Sequence, residues 1–172
     1  GHRRQGRAEV VPEETGRTFG ENARAKALAY AAALGRVVVA EDSGLEIDAL
    51  DGAPGVYSAR FGLPDAPAYS QKFELIYRLL RERVGRVESG ARFVCRLALA
   101  QPGRVLFEAE GRVEGHIVEP PRGEGGFGYD PIFYYPPFGQ TLAEVPPGRK
   151  EEVSHRGRAF RQLREYLERV EP

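Results

Sequence analysis

Two carboxylates stand side by side in Glu41-Asp42-Ser43, directly after the apolar run Arg36-Val-Val-Val-Ala40. Adjacent like charges repel, so the pair costs free energy unless a cation or a reacting water uses it. The chemistry on offer is metal binding or proton abstraction. Ligands in α/β folds gather at the carboxyl ends of strands, and the apolar run predicts that the triplet sits where a strand ends. The competing reading is a loop in which Asp42 and Ser43 cap turn N–H groups. Glu21 carries a similar ambiguity. Thr18-Phe-Gly-Glu21 has capping-box spacing, in which Glu21 serves only the Thr18 N–H.

A second stretch, Gly123-Glu-Gly-Gly-Phe-Gly-Tyr-Asp-Pro-Ile-Phe133, combines glycine density with two aromatics and an acid. Glycine lets backbone approach a ligand closely, Phe127 and Tyr129 offer flat faces for a base, and Asp130 offers an acceptor. No Gly-Lys-Ser/Thr follows, so this is not a P-loop. A tight structural loop is the alternative. Ser154-His-Arg-Gly157 opens a helix, where free N–H groups favour an anion or a polar ligand edge, and Lys150 lies just before it. Ser154 also suits an ordinary N-cap.

The elements that must position these groups follow from pattern. The Ala-rich run after the capping box, stopped by Gly35, predicts a helix over 19–34. Strands are expected over 36–40 and, after a turn at Ala40-Glu-Asp-Ser-Gly-Leu45, over 46–50, closed by Asp51-Gly52. The segment from Ala53 to Phe61 should be irregular. Phe73, Ile76, Tyr77, Leu80 and Val84 recur at helical spacing and mark a helix over 68–84. Residues 91–101 and 104–118 flank Pro102-Gly103 as a long antiparallel hairpin. Its second arm alternates, so one face is wet. Gly, Pro and aromatics dominate 120–148, and a last helix from Ser154 carries Phe160, Leu163, Leu167 and Val170 on one face.

Composition narrows the function classes. The 172 residues suit one domain, and their formal net charge of zero argues against nucleic acid or an anionic membrane as partner. Cys95 is the sole cysteine, which excludes an intramolecular disulfide and a Cys-rich zinc site. No stretch approaches the roughly 20 apolar residues that span a bilayer, and no signal-peptide h-region opens the chain; a cytoplasmic protein is expected. The basic residues are nearly all Arg, the lysines being Lys26, Lys72 and Lys150.

Five stretches in this order resemble the inosine triphosphate pyrophosphatase family: Thr18-Phe-Gly-Glu-Asn-Ala23, Ala40-Glu-Asp-Ser-Gly-Leu45, Pro54-Gly-Val-Tyr-Ser-Ala-Arg60, Gly125-Gly-Phe-Gly-Tyr-Asp-Pro131 and Ser154-His-Arg-Gly157. The resemblance implies an α/β fold: an elongated mixed β-sheet flanked by helices, in two lobes with a nucleotide cleft between them. It implies a magnesium-dependent enzyme, usually a homodimer, that cleaves ITP, dITP or XTP between the α and β phosphates. Asp42 would be general base and metal ligand. Glu21 and Glu41 would help hold Mg2+, and Ser43 would contact the substrate. Phe127, Gly128, Tyr129 and Asp130, with Lys150, His155 and Arg156, would form the purine pocket. The family pattern opens with a strand, a Thr-Gly-Asn loop and a lysine that grips the phosphates, and no such motif precedes Val11. A single domain lacking that strand and loop is therefore expected, with a catalytically weak purine-nucleotide-binding remnant as the alternative function and an Arg-rich nucleic-acid module as a remoter one.

Overall fold

The computed structural model describes residues 16–62 and 68–170. The expectation that the family's N-terminal strand and loop are missing concerns the stretch before Val11, which lies outside the described residues. Helix α1 (Phe19–Leu34) opens on the capping box: Glu21 N donates to Thr18 Oγ1 at 3.1 Å, and Thr18 N donates to Glu21 Oε1 at 3.3 Å. It stops at Gly35, whose φ of 66° is the left-handed conformation that glycine adopts without cost.

Strand β1 (Val38–Ile47) corrects the sequence expectation of two short strands and a turn. Glu41-Asp42-Ser43-Gly44 does not turn. It pairs without a break against β2 (Gly90–Gln101), Glu41 opposite Leu97 and Gly44 opposite Val94. Charged residues and glycine read locally as turn formers, but ten consecutive ladder pairs override that preference. Gly44 is there for space. A Cβ would lie 2.5 Å from Ser58 Oγ and 2.6 Å from Gly55 O, in the 3-10 segment Gly55–Arg60 that packs on β1.

Helix α2 (Tyr69–Val84) follows. Strands β2 and β3 (Arg104–Ile117) form the expected hairpin over Pro102-Gly103, and β4 (Phe133–Tyr135) and β5 (Gln140–Thr141) extend the sheet in the order β1-β2-β3-β4-β5. The resemblance implies a mixed sheet; every pairing among the described residues is antiparallel. Helix α3 (Pro147–Val153), with Pro147 at its first turn, was not anticipated, and α4 (His155–Val170) follows it at once.

The two-residue period of the strands gives the sheet two distinct faces. Ala40, Ala98 and Ala100 pack against Ala23, Ala27 and Ala31 of α1. Cys95, Leu97, Leu99 and Ala109 point the other way, onto Ala159 and Leu163 of α4. The larger core, which includes Leu45, Ile47, Phe93 and Val113, continues beneath α2 through Phe73, Ile76, Tyr77 and Leu80. Among the described residues no helix is long and apolar enough to cross a membrane.

Candidate active site

Because β1 is continuous, Glu41 and Asp42 leave it in opposite directions. Asp42, 9% exposed, faces α1 and accepts a hydrogen bond from Asn22 Nδ2 at 2.9 Å; Asn22 Oδ1 in turn accepts from Gly16 N at 2.7 Å. Arg96 stands opposite Asp42 on β2. Glu41 faces α4. Arg156 Nε donates to both of its carboxylate oxygens at 2.8 Å and Nη2 donates to Oε2 at 2.6 Å, while the Cys95 thiol donates to Oε1 at 3.3 Å. Glu21 lies in the first turn of α1, beside Asn22, and its Oε1 also accepts from Arg17 N at 2.6 Å. Among the described residues no three His, Cys, Asp or Glu side chains converge as a metal cluster. Glu21, Glu41 and Asp42 are therefore not brought together.

The predicted base-binding residues do converge. Phe127, Lys150, His155 and Arg156 line one cavity of about 330 Å³, with Gly126, Val145 and Ser154. The Phe127 ring is 71% exposed, and Lys150 Nζ sits 4.0 Å from its centroid. Asp130 lies behind them. Its Oδ2 accepts from Phe127 N at 2.9 Å and from Lys150 Nζ, in an ion pair whose side chains are 5% and 11% exposed. A charge this deeply placed is tolerable only when paired, so Asp130 holds both the loop and the lysine in place. Ser154 caps α4 by accepting from Gly157 N at 3.0 Å. Ser43 shares the α4 face of β1 with Glu41, opposite Cys95.

Tyr129 departs from expectation. It is buried in the core, edge-on to Tyr69 at 5.0 Å between ring centroids, and its hydroxyl donates to Ser58 O at 2.6 Å. Of the two aromatics flanking Gly128, only Phe127 turns its ring to the cavity; Gly128, at φ 62°, makes the reversal possible.

The sequence profile of the Ham1 family matches residues 3–166. The chain belongs to the Ham1 family. It is 56% identical over 151 residues to the dITP/XTP pyrophosphatase of Gloeobacter violaceus, covering 88% of this chain and 74% of that protein. It is 47% identical over 166 residues to the dITP/XTP pyrophosphatase of Thermosynechococcus vestitus, covering 96% and 82%. Among solved structures, the Ham1 protein of Staphylococcus aureus aligns with a TM-score of 0.85 at 40% identity over 92% of this chain and 81% of that one. A HAM1 protein from Coxiella burnetii aligns with a TM-score of 0.87 at 40% identity, covering 95% and 84%.

In this Ham1 chain the electrostatics of the cavity separate its groups. Burial pushes the Glu41 carboxyl up, but the hydrogen bonds from Arg156 and Cys95 and the Arg156 charge outweigh it and hold the group below its ordinary range. Burial, reinforced by the Lys150 charge and opposed by Glu41, pulls the His155 imidazole down to about 4. His155 is thus neutral at pH 7, stacked on Phe93, with Nδ1 buried and without a hydrogen-bond partner. A neutral imidazole presents one donor and one acceptor.

That depressed value makes stability depend on pH. The unfolded chain takes up the His155 proton near 6.5 and the folded chain only near 4, so stability is lost as pH falls between the two. Between pH 7 and 5 the loss is about 2 kcal/mol, and Glu41 contributes its own loss only at lower pH. Melting temperature measured against pH should therefore flatten in this window in His155→Asn, while an unaltered slope would place the effect elsewhere.

Sequence reasoning assigned no role to Lys26, Lys72 or Asn22. All three lysines are at least half-buried and border these groups: Lys150 at the cavity, Lys26 donating to Glu41 O at 2.9 Å, and Lys72, 3% exposed, with Nζ 4.5 Å from the Tyr69 ring centroid. A chain that uses Arg almost everywhere else supplied that signal in its composition. Asn22 was visible in the Thr18 to Ala23 motif, but its contact with Asp42 spans 20 positions.

Proposed function

We propose that this chain hydrolyses ITP, dITP and XTP, whose purines carry a carbonyl at C6 where adenine carries an amino group, to the monophosphate and pyrophosphate. The observation that carries this is the cavity that gathers an exposed aromatic face, two cationic donors and a neutral imidazole, and whose Arg156 is paired with Glu41, the strand neighbour of Asp42. Relatives named dITP/XTP pyrophosphatase support it. The purine stacks on Phe127, and Lys150, Arg156 and His155 meet its edge. Donors bond a C6 carbonyl but find no acceptor in the amino group of adenine, and a site built on such a bond rejects the analogue lacking it.

The base lies on the α4 face and Asp42 on the α1 face, so the nucleotide crosses β1, which has one neighbour in the sheet among the described residues. Asn22 orients the Asp42 carboxylate, which takes the proton of the attacking water as oxygen bonds to the α phosphorus. The bond from that phosphorus to the bridging oxygen breaks, and pyrophosphate leaves. The donor set suits magnesium in part. That ion needs one or two carboxylates beside substrate phosphates and water, and Asp42 with Glu21 would supply them. When bound, it neutralises triphosphate charge. A homodimer, on the family resemblance, and a cytoplasmic setting with no nucleic-acid partner, on sequence composition and neutral charge, complete this reading.

Pyrophosphate release with Mg2+ tests it: ITP, dITP and XTP should be turned over in strong preference to ATP. Binding of IMP without release from any triphosphate would favour a binding remnant. Phe127→Ala should weaken ITP and ATP alike, by roughly 10- to 100-fold in KM, because stacking is worth about 1–3 kcal/mol per base and ignores base identity. A change confined to ITP would remove Phe127 from the stacking role.

A further inference from the structure

Glu41 is the one predicted metal ligand whose surroundings contradict that role. Strand alternation turns it away from Asp42 and Glu21, and its carboxylate is occupied by the Arg156 guanidinium and the Cys95 thiol. Arg156 lies in the first turn of α4, and its long side chain would otherwise sample many rotamers at the mouth of the cavity. The pair with Glu41 engages Nε and one side of Nη2, which leaves the other guanidinium N–H groups for a ligand. A two-point contact between planar groups fixes direction as well as position.

We propose that Glu41 is a positioning residue for Arg156: it aims the guanidinium at the C6 carbonyl of the purine, and so sets base selectivity, and it does not ligate magnesium. The inference rests on the reading of the cavity as a purine site. The rest of the Glu41 surroundings fit this assignment. Lys26 ties the backbone carbonyl of Glu41 to α1, so the strand that carries the carboxylate is held from its other side. The Cys95 thiol, pushed far above its ordinary range by burial and then by Glu41, stays protonated and remains a donor.

The test compares the intact chain with Glu41→Gln, Glu41→Asp, Arg156→Ala and the double variant Glu41→Gln/Arg156→Ala. Calorimetry with IMP and AMP reads base selectivity without turnover, and a Mg2+ titration of pyrophosphate release reads the metal requirement. NMR of the Arg156 Nε–H, assigned with Arg156→Lys, reads the pair directly. In Glu41→Gln that signal should lose its protection from exchange and the preference for IMP over AMP should fall about tenfold, one charge-assisted contact in a half-exposed site. The Mg2+ concentration for half-maximal release should stay put. Glu41→Asp keeps the charge, the arginine can follow it, and most of the preference should return. The double variant should match Arg156→Ala.

A Mg2+ requirement raised tenfold in Glu41→Gln, with the preference for IMP intact, would overturn the proposal, as would strictly additive losses in the double variant. If the parent chain releases no pyrophosphate yet loses its preference for IMP in Glu41→Gln, the hydrolase reading fails and this one stands. A parent chain with no preference for IMP overturns this one.

Discussion

Asp42→Asn should lower pyrophosphate release from ITP by roughly 10²- to 10⁴-fold, the usual cost of losing a general base. An amide cannot take the proton of the attacking water, and it is a poorer partner for magnesium than a carboxylate. The fold should survive. Asp42 meets Asn22 through one hydrogen bond that an amide carbonyl also accepts, and the Arg96 opposite it is already paired with Glu108 and Glu110. Circular dichroism should show an unchanged spectrum, and IMP should bind as it does to the parent, since the cavity lies on the other face of the sheet. Turnover within a few-fold of the parent in a folded variant would take Asp42 out of the mechanism and move attention to Glu21, in the first turn of α1.

The separation of Asp42 from Glu41 shows where the sequence was legible and where it was not. Helix α1 declared itself through local chemistry, a capping box at one end and glycine at the other, and both are present. The β2–β3 hairpin did so through Pro102-Gly103, and α2 and α4 through apolar spacing. Strand β1 misled because its middle carries turn-forming residues, and what keeps them extended is β2, some 50 positions away in the chain. Once β1 is continuous, opposite directions for Glu41 and Asp42 follow from strand geometry alone. The cavity residues were legible as motifs but not in orientation. Nothing local to Phe127-Gly-Tyr129 tells which ring is core; Tyr69 and the Ser58 carbonyl decide it. Helix α3 was hidden by the Pro and Gly density around it, although a proline at a first helical turn is itself a start signal.

Gly111→Ala should combine a large loss of stability with a large loss of nucleotide recognition, although Gly111 touches no substrate. It lies on β3 opposite Cys95, facing α4. A Cβ placed there would lie 2.1 Å from His155 O, 2.6 Å from Ala159 N and 2.9 Å from Arg158 Cβ, two of them backbone atoms. Its φ is not in the left-handed region, so close approach alone calls for glycine. The helix cannot slide aside freely, because Arg158 Nη1 donates to Arg112 O at 2.8 Å and Gln162 Nε2 donates to Glu110 O at 2.7 Å, sewing α4 to β3. Overpacking costs about 1–3 kcal/mol where flexible side chains can yield, and a clash with backbone belongs at the upper end or beyond it. For a chain of this size that lowers the melting temperature by roughly 6–12 °C. Relief must come from lifting the first turn of α4, which carries His155 and Arg156. A displacement of about 1 Å at a positioning group costs on the order of 10²-fold in turnover. Measured well below the new melting temperature, kcat/KM for ITP should therefore fall far more than the folded fraction does, with the loss greater for ITP than for ATP. A variant that melts within 2 °C or so of the parent would show that strand and helix are not in backbone contact at this point. One that melts early but keeps its preference for ITP would show that the start of α4 does not set base selectivity.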